Sequence, residues 1–315
     1  MASYLPKPTT GLSQRLPITA IVMTYNEERN LDACLASLVD HVDEIIVVDS
    51  ESTDRTEAIA RRYTDRFIAQ PFVNYSDQFN WGLAVGKPRN EWIARVDADE
   101  RWTPEGFAEL APLVADPDVH GIYVRMKIYF MHRWIRWGGN YPNLFLRVYR
   151  LDRGEIEKRW MDEHIRVDGN VHTSKIDVIE ANYDRQDNIG LWTKKHNSYS
   201  TREAVENLIQ RHRIREMDSV ADLRGTKVQR KRWLKEHLYV GFPLFLRPFV
   251  YYLYRYIFQL GFLDGKEGFI YHYLHAFWYR FLVDTKVYQL ERHMRKNKLS
   301  APQVIREHYG IDIGE

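Results

Sequence analysis

Short β-branched apolar runs alternate with helix-forming stretches through the first hundred residues, a pattern that a parallel sheet with crossover helices requires. Ile18 to Thr24 reads as the first strand. In the stretch after it Leu31, Cys34, Leu35 and Leu38 share one helical face, with Asn26 a candidate N-cap. Glu44 to Val48 reads as a second strand ending at Asp49, and Ser50, Ser52, Thr53 and Asp54 then precede a helix over 55–63. A third run, Trp92 to Val96, stops at Asp97, Ala98, Asp99 and Glu100. In open parallel sheets ligands bind outside the carboxyl ends of the strands, so 24–27, 49–54 and 97–99 should meet on one rim. Two carboxylates on alternate positions at a strand end suit a hard divalent cation that bridges two phosphates. The expected substrate is therefore a nucleoside diphosphate derivative.

Taken singly, each of these residues also has an ordinary structural use. Asp49 and Asn26 could cap neighbouring helices, Asp54 reads better as a cap than as a ligand, and Asn80 and Gly82 could punctuate a helix end. Their joint occurrence favours a site. Beyond the acidic run, Thr103, Pro104 and Glu105 spell an N-cap, a proline in the first turn and a helix to about Val114. Gly121 to Phe130 and Leu144 to Arg150 read as strands. Between them lie Trp134, Trp137, Gly138 and Gly139, for which packing is favoured over stacking on a sugar.

TYNEE at 24–28, VVDSESTD at 47–54, NWG at 80–82 and DADE at 97–100 resemble, in this order, the N-terminal half of family 2 glycosyltransferases of GT-A fold. The likeness implies a UDP-sugar donor and inversion at the anomeric carbon. It implies that Thr24, Tyr25, Asn26 and Glu27 frame base and ribose together with Ser52 and Asn80. By the same likeness Asp49 bonds the base, Asp97 and Ala98 lie along the ribose, and Asp97 and Asp99 hold Mg2+ or Mn2+. A glycine-rich phosphate loop is absent from the sequence, so metal and nearby cations would neutralise the diphosphate.

Inverting transfer needs a carboxylate to take the proton from the acceptor hydroxyl. In similar transferases an acidic pair in the second half supplies it, and Asp162-Glu163-His164 stands in the comparable place. Glu163 is favoured as base over Asp162. Lys194, Lys195 and His196, ahead of a helical pattern through Ala204, Leu208 and Arg211, could close over the diphosphate. His196 is also a candidate third metal ligand, and a basic helix start on the surface would read the same. Gln229, Arg232 and Trp233 match the QxxRW spacing of processive family 2 synthases, a hint of an acceptor side.

The 315 residues carry Lys+Arg 45 against Asp+Glu 43, a formal net charge of +2, so no polycationic surface points to nucleic acid. One cysteine rules out an internal disulfide. The first sixteen residues lack a basic-then-apolar export pattern and read as a mobile arm.

From about Lys227 the composition turns aromatic. Arginines at 247 and 255 argue against a membrane span, since each costs about 2.5 to 3.5 kcal/mol at a bilayer centre. An interfacial hairpin turning at 261–269 fits better, with tyrosines at headgroup depth and Arg230, Lys231, Arg232, Lys235, Arg247 and Arg255 meeting anionic lipid. Its Arg-Pro, Tyr-Arg and Gly-Phe-Leu-Asp-Gly order resembles that of lipopolysaccharide-core glycosyltransferases. A helical hairpin packed on the catalytic domain, or an oligomer, is the alternative.

The expected fold is α/β of GT-A type, a Rossmann-like mixed and mostly parallel sheet between helices. The expected parts are an arm over 1–16, a catalytic domain over 17–226 and a C-terminal amphipathic region over 227–315. The expected activity moves a hexose or N-acetylhexosamine from a UDP-sugar to a lipid-linked saccharide at the inner face of the cytoplasmic membrane. A sugar nucleotidyltransferase and a membrane-surface scaffold with a vestigial nucleotide pocket are the alternatives.

Overall fold

The computed structural model describes residues 15–157, 163–214 and 221–313. They form two units. One holds the chain up to Arg136 with Asn140–Ile156 and Ile165–Asp187; the other holds Trp137–Gly139, Glu157–His164 and Asn188–Glu315. The second unit thus takes in 188–226, ahead of the composition change at Lys227.

In the first unit the alternating pattern becomes strands β1 (Leu16–Thr24), β2 (Val42–Asp49), β3 (Phe67–Ala69) and β4 (Trp92–Asp97), joined by helices α1 (Leu31–Ala36), α2 (Thr56–Ala60) and α3 (Tyr75–Gly86). All four strands run parallel in the order β3-β2-β1-β4. Both faces of this half are covered, so β1 and β2 are almost continuously buried, as parallel strands must be. The helix face foreseen at Leu31, Cys34, Leu35 and Leu38 is buried with them. Burial pushes the Cys34 thiol well up.

After β4 the chain turns back as β5 (Glu100–Trp102) into helix α4 (Pro104–Ala115), where Thr103 accepts a hydrogen bond from the Gly106 N–H at 3.1 Å. The N-cap and proline start read in the sequence are both present. Strands β6 (Gly121–Phe130), β7 (Arg133–Trp134), β8 (Asn143–Arg150) and β11 (Val171–Glu180) complete a mixed sheet in the order β3-β2-β1-β4-β8-β6-β11-β5, β7 pairing with β6. β8 is antiparallel to both β4 and β6, which ends the parallel half. Strands β9 (Gly154–Ile156) and β10 (Ile165–Val167) pair apart from this sheet, and α5 (Tyr183–Asp187) closes the unit.

Gly82 is in the interior of α3, not at its end. A Cβ there would stand 2.7 Å from Val48 Cγ2, so glycine lets α3 lie close on β2. The N-cap of α1 is Asn30 rather than Asn26, which adopts a left-handed conformation at φ 51°.

The second unit is helical: α6 (Ile189–Arg211), α7 (Lys227–Leu234), α8 (Leu246–Leu253), α9 (Gly265–His272), α10 (Tyr279–Asn297) and α11 (Ala301–Tyr309). π turns extend α7, α8 and α9 at Lys235–Tyr239, Tyr254–Phe258 and Tyr273–Trp278. Its apolar core comes from α6, α10 and α11, with Ala204, Leu208, Val287 and Ile305 fully buried. Gly138 and Gly139 hold φ of 66° and 71°, and a Cβ on either would collide with His272 or Gln259. Packing accounts for the glycine pair.

One expectation for the tail is overturned. Arg232, Arg247 and Arg255 are at most 6% exposed and cannot meet lipid headgroups. Arg247 Nε donates to Asp284 at 2.7 Å, and Arg255 Nε donates to the Gly138 carbonyl at 2.5 Å. Tyr279 is also buried. Among the described residues no helix is long and apolar enough to cross a membrane.

Candidate active site

Parallel pairing sets the ends of β1, β2 and β4 side by side. Thr24 is in register with Asp49, and Met23 with Asp97, so the three polar strand ends share the rim that the sequence indicated. Asp49 lies beneath it at 2% exposure and braces two loops. Its Oδ1 accepts from Thr24 Oγ1 at 2.7 Å and from Ser52 Oγ at 2.6 Å, and its Oδ2 accepts from the Ser52 N–H at 2.7 Å. Ser52 Oγ in turn accepts from the Asn26 N–H, while Asn26 Oδ1 accepts from the Thr53 N–H, each at 2.8 Å.

These bonds stitch 24–28 to 49–56. The Glu27 N–H donates to Thr56 Oγ1 at 2.9 Å, and Asp54 Oδ1 accepts from the Thr56 N–H at the start of α2. Asn26 and Glu51 both carry positive φ on these loops, 51° and 60°. For a non-glycine residue that conformation costs about 1–2 kcal/mol, and such costs gather where a loop must hold one shape. Tyr25 lifts its ring into solvent at 59% exposure. Asn80 is on the exposed side of α3, and Ala98 is buried at the turn after β4.

The two acidic residues meet partners that the local sequence does not announce. Asp97 Oδ2 accepts from Arg147 Nη2 at 2.9 Å, and the same guanidinium bonds the buried Glu100. Burial pushes the Glu100 carboxyl well above the usual carboxylate range; Arg147 opposes that, and the charges of Asp97, Asp99 and Glu180 add to it. Asp99 pairs with Arg185 and accepts from Asn182 Nδ2 at 3.3 Å. Asn182 also approaches Glu27 Oε2 at 3.4 Å, while Asn30 Oδ1 accepts from the Tyr183 N–H at 2.8 Å. Arg29 bonds Asp184 and Asp187. The segment 182–187 therefore ties the 27–30 loop to the Asp97–Asp99 turn. β11 places it there, because Glu180 and Val178 pair with Glu100 and Trp102.

Arg147, Asn182 and Arg185 were not found from the sequence. Each lies at least 45 residues from its partner in the chain, and no spacing rule marks them.

Carboxylate oxygens are the donor type that Mg2+ and Mn2+ prefer, and such ions take one or two carboxylates plus phosphate oxygens. Asp97, with its side chain 36% exposed, and Asp99 match that donor set. The described residues form no group of three His, Cys, Asp or Glu able to hold an ion, so His196 is not brought into such a group.

His196 is on α6, where its Nδ1 meets the Trp192 carbonyl at 2.9 Å and its ring stacks on Trp192. Lys194 is exposed on the same helix, and Lys195 Nζ lies over the Tyr199 ring. Asp162 falls outside the described residues. Glu163 is half-buried in the second unit. Its neighbour His164 donates its N–H to Glu157 Oε2 at 2.9 Å, and Arg232 reaches the same oxygen at 3.5 Å. The Gln229–Trp233 match thus resolves into separate uses: Gln229 closes the capping box of α7, Arg232 meets Glu157, and Trp233 stacks on His237.

Residues 19–171 match the model of the family described as Glycosyl transferase family 2. An uncharacterized glycosyltransferase of Rickettsia conorii is 28% identical over 298 residues, 93% of this chain and 94% of its own length. The lipopolysaccharide core biosynthesis glycosyltransferase LpsC of Rhizobium meliloti is 31% identical over 173 residues, 51% of this chain and 61% of that protein. A solved glucosyl-3-phosphoglycerate synthase from Mycobacterium tuberculosis, in complex with Mn2+, UDP-glucose and glycerol 3-phosphate, overlaps 35% of this chain and 44% of its own at 22% identity and TM-score 0.30. The strand-end rim of Thr24, Asp49 and Asp97 lies within residues 19–171, the stretch that is similar to glycosyltransferase family 2.

Proposed function

We propose that this protein transfers a hexose or N-acetylhexosamine from a UDP-sugar, with inversion, to a lipid-linked saccharide of the bacterial envelope. The observation that carries the donor half is the single rim on which Thr24, Asp49 and Asp97 end three parallel strands. The name of the Rhizobium relative supports the acceptor half.

Thr24, Tyr25, Asn26 and Glu27 would line the nucleoside with Ser52, the exposed Tyr25 ring offering a face to the base. Asp49, already bonded to Thr24 and Ser52, would fix that wall before substrate arrives. Asp97 and Asp99 would hold Mg2+ or Mn2+, which when bound neutralises charge on the diphosphate. Arg147 and Arg185 pair with the two carboxylates and orient them.

Glu163 is the proposed base, removing the proton from the attacking hydroxyl, with Asp162 the second candidate. Lys194, Lys195 and His196 are the proposed cations for the departing UDP. Nucleotide sugars are cytoplasmic, so the reaction would run at the inner face of the cytoplasmic membrane.

A panel of UDP-sugars with membrane lipid extract as acceptor, read by mass analysis of the product, tests the reading. Glu163→Gln should lower transfer at least about a hundredfold while UDP binding changes less than threefold. Release of diphosphate from UTP and a sugar phosphate would contradict it, as would full turnover by Glu163→Gln.

A further inference from the structure

Helix α8 and the π turn that extends it are inside out. Leu246, Phe249, Val250, Leu253, Tyr254 and Ile257 follow an i, i+3, i+4 spacing along one stripe, and each is about half exposed. The opposite stripe, at 247, 251 and 255, points inward and carries Arg247, Tyr251 and Arg255. A helix of a soluble domain normally shows the reverse arrangement. The polar stripe is committed to the interior by Asp284, which bonds Arg247, and by the Gly138 carbonyl, which accepts from Arg255. The apolar stripe is left facing out.

The outward apolar surface continues past the helix. Phe258 is 76% exposed, and Phe262, Leu263, Phe269 and Tyr273 are exposed beyond it. Ring contacts join these segments: Phe262 and Phe269 both touch Tyr256, and Tyr273 touches Tyr252. Together the side chains present on the order of 1,000 Å², beyond the few hundred that a soluble monomer leaves in one place.

Charge decides what covers this surface. Among the described side chains of residues 228–273 the exposed Lys and Arg are Arg230, Lys231 and Lys266, while the acidic Glu267 is half-buried and Asp264 is buried. A two-fold dimer through the patch would bring Lys266, which stands in the chain between the exposed Leu263 and Phe269, toward its own copy. A phospholipid surface offers hydrocarbon to the stripe and phosphate to Lys266.

We propose that α8, its π turn and the 260–263 turn insert their apolar side chains into a bilayer surface, with binding driven by this insertion rather than by arginine contact with anionic lipid. The proposal deepens the lipid-linked acceptor reading and rests on it for its purpose: docking would bring the enzyme to a substrate confined to the membrane.

Vesicle flotation tests it without turnover. The full chain should float with phosphatidylcholine vesicles as well as with equimolar phosphatidylethanolamine and phosphatidylglycerol. Raising salt should weaken binding to the anionic vesicles by no more than about a hundredfold, the most that three exposed cations at about 1 kcal/mol each supply, and should leave binding to phosphatidylcholine unweakened. Leu253→Ser and Phe258→Ser, both on the surface, should each weaken flotation about tenfold or more while melting with the wild type. Failure to float with phosphatidylcholine would overturn the proposal, as would serine variants that float like the wild type. A lipid-independent dimer broken by the same variants would overturn it in favour of a second copy. Flotation without glycosylation of any lipid acceptor would reject the acceptor reading alone; lipid-acceptor turnover without flotation would reject the docking alone.

Discussion

Replacing Arg247 by methionine would keep most of the side-chain volume and remove the charge that holds the second unit's inverted helix in place. Arg247 is 2% exposed and Asp284 is fully buried. The guanidinium also donates to the Tyr239 carbonyl at 3.2 Å and to Asn207 Oδ1 at 3.3 Å. Without it Asp284 keeps the Phe245 N–H, at 2.8 Å, as its other bond in this pair of contacts. That bond itself anchors a phenylalanine at φ 68°, ahead of α8. Removing one partner of a buried ion pair costs about 3–5 kcal/mol, because a charge stays behind in a medium that solvates it poorly. For a unit of this size the loss is roughly 10 °C in Tm. Arg247→Met should show it by differential scanning calorimetry, and Asp284→Asn added to Arg247→Met should restore at least about 2 kcal/mol by neutralising the stranded carboxylate. A single variant within about 1 kcal/mol of the wild type, or a double variant no better than the single, would refute the argument that this pair commits the polar stripe to the interior.

Gly82→Ala should cost about 1–3 kcal/mol, since its Cβ would press into Val48 Cγ2, and urea unfolding would read it; a neutral effect would mean that α3 can back off β2 freely. His272 is fully buried and its pKa is pushed down to about 3 by that burial, with Arg255 acting the same way. Between about pH 6.5 and 3 the unfolded chain therefore binds a proton that the folded one refuses, so stability falls as pH drops through that window by about 1.4 kcal/mol per pH unit. Tm should be lower at pH 5 than at pH 7, and His272→Gln should flatten that dependence; an unchanged slope would remove His272 as its source.

Where local pattern decides structure, the sequence was readable. The strands at β1, β2, β4, β6 and β8 and the start of α4 fall within two residues of their expected limits, because burial on both faces and capping chemistry are written in adjacent positions. Helix α2 came out shorter than 55–63, and β3 went unseen because three residues hold too little pattern. The strand-end rim followed from the parallel order. What surrounds Asp97 and Asp99 did not follow, since Arg147, Asn182 and Arg185 reach them across the sheet and through the β5–β11 pairing.

The tail shows a different limit. Periodicity at 246–257 marks two faces of a helix but not which one is buried. Asp284, 37 residues away, settles that. Arg232, Arg247 and Arg255, expected at a lipid surface, are inside because partners distant in the chain hold them there: Glu157, Asp284 and the Gly138 carbonyl.

In the proposed function Asp99 and Asp97 anchor a metal-bound UDP-sugar at the ends of the parallel strands. Calorimetric titration of UDP into the wild type and into Asp99→Asn, each with and without Mn2+, tests it most directly. The wild type should bind UDP in an Mn2+-dependent way and Asp99→Asn should lose at least about tenfold in affinity, with Tm showing the variant folded. Equal UDP affinity in both proteins, with or without the metal, would contradict it.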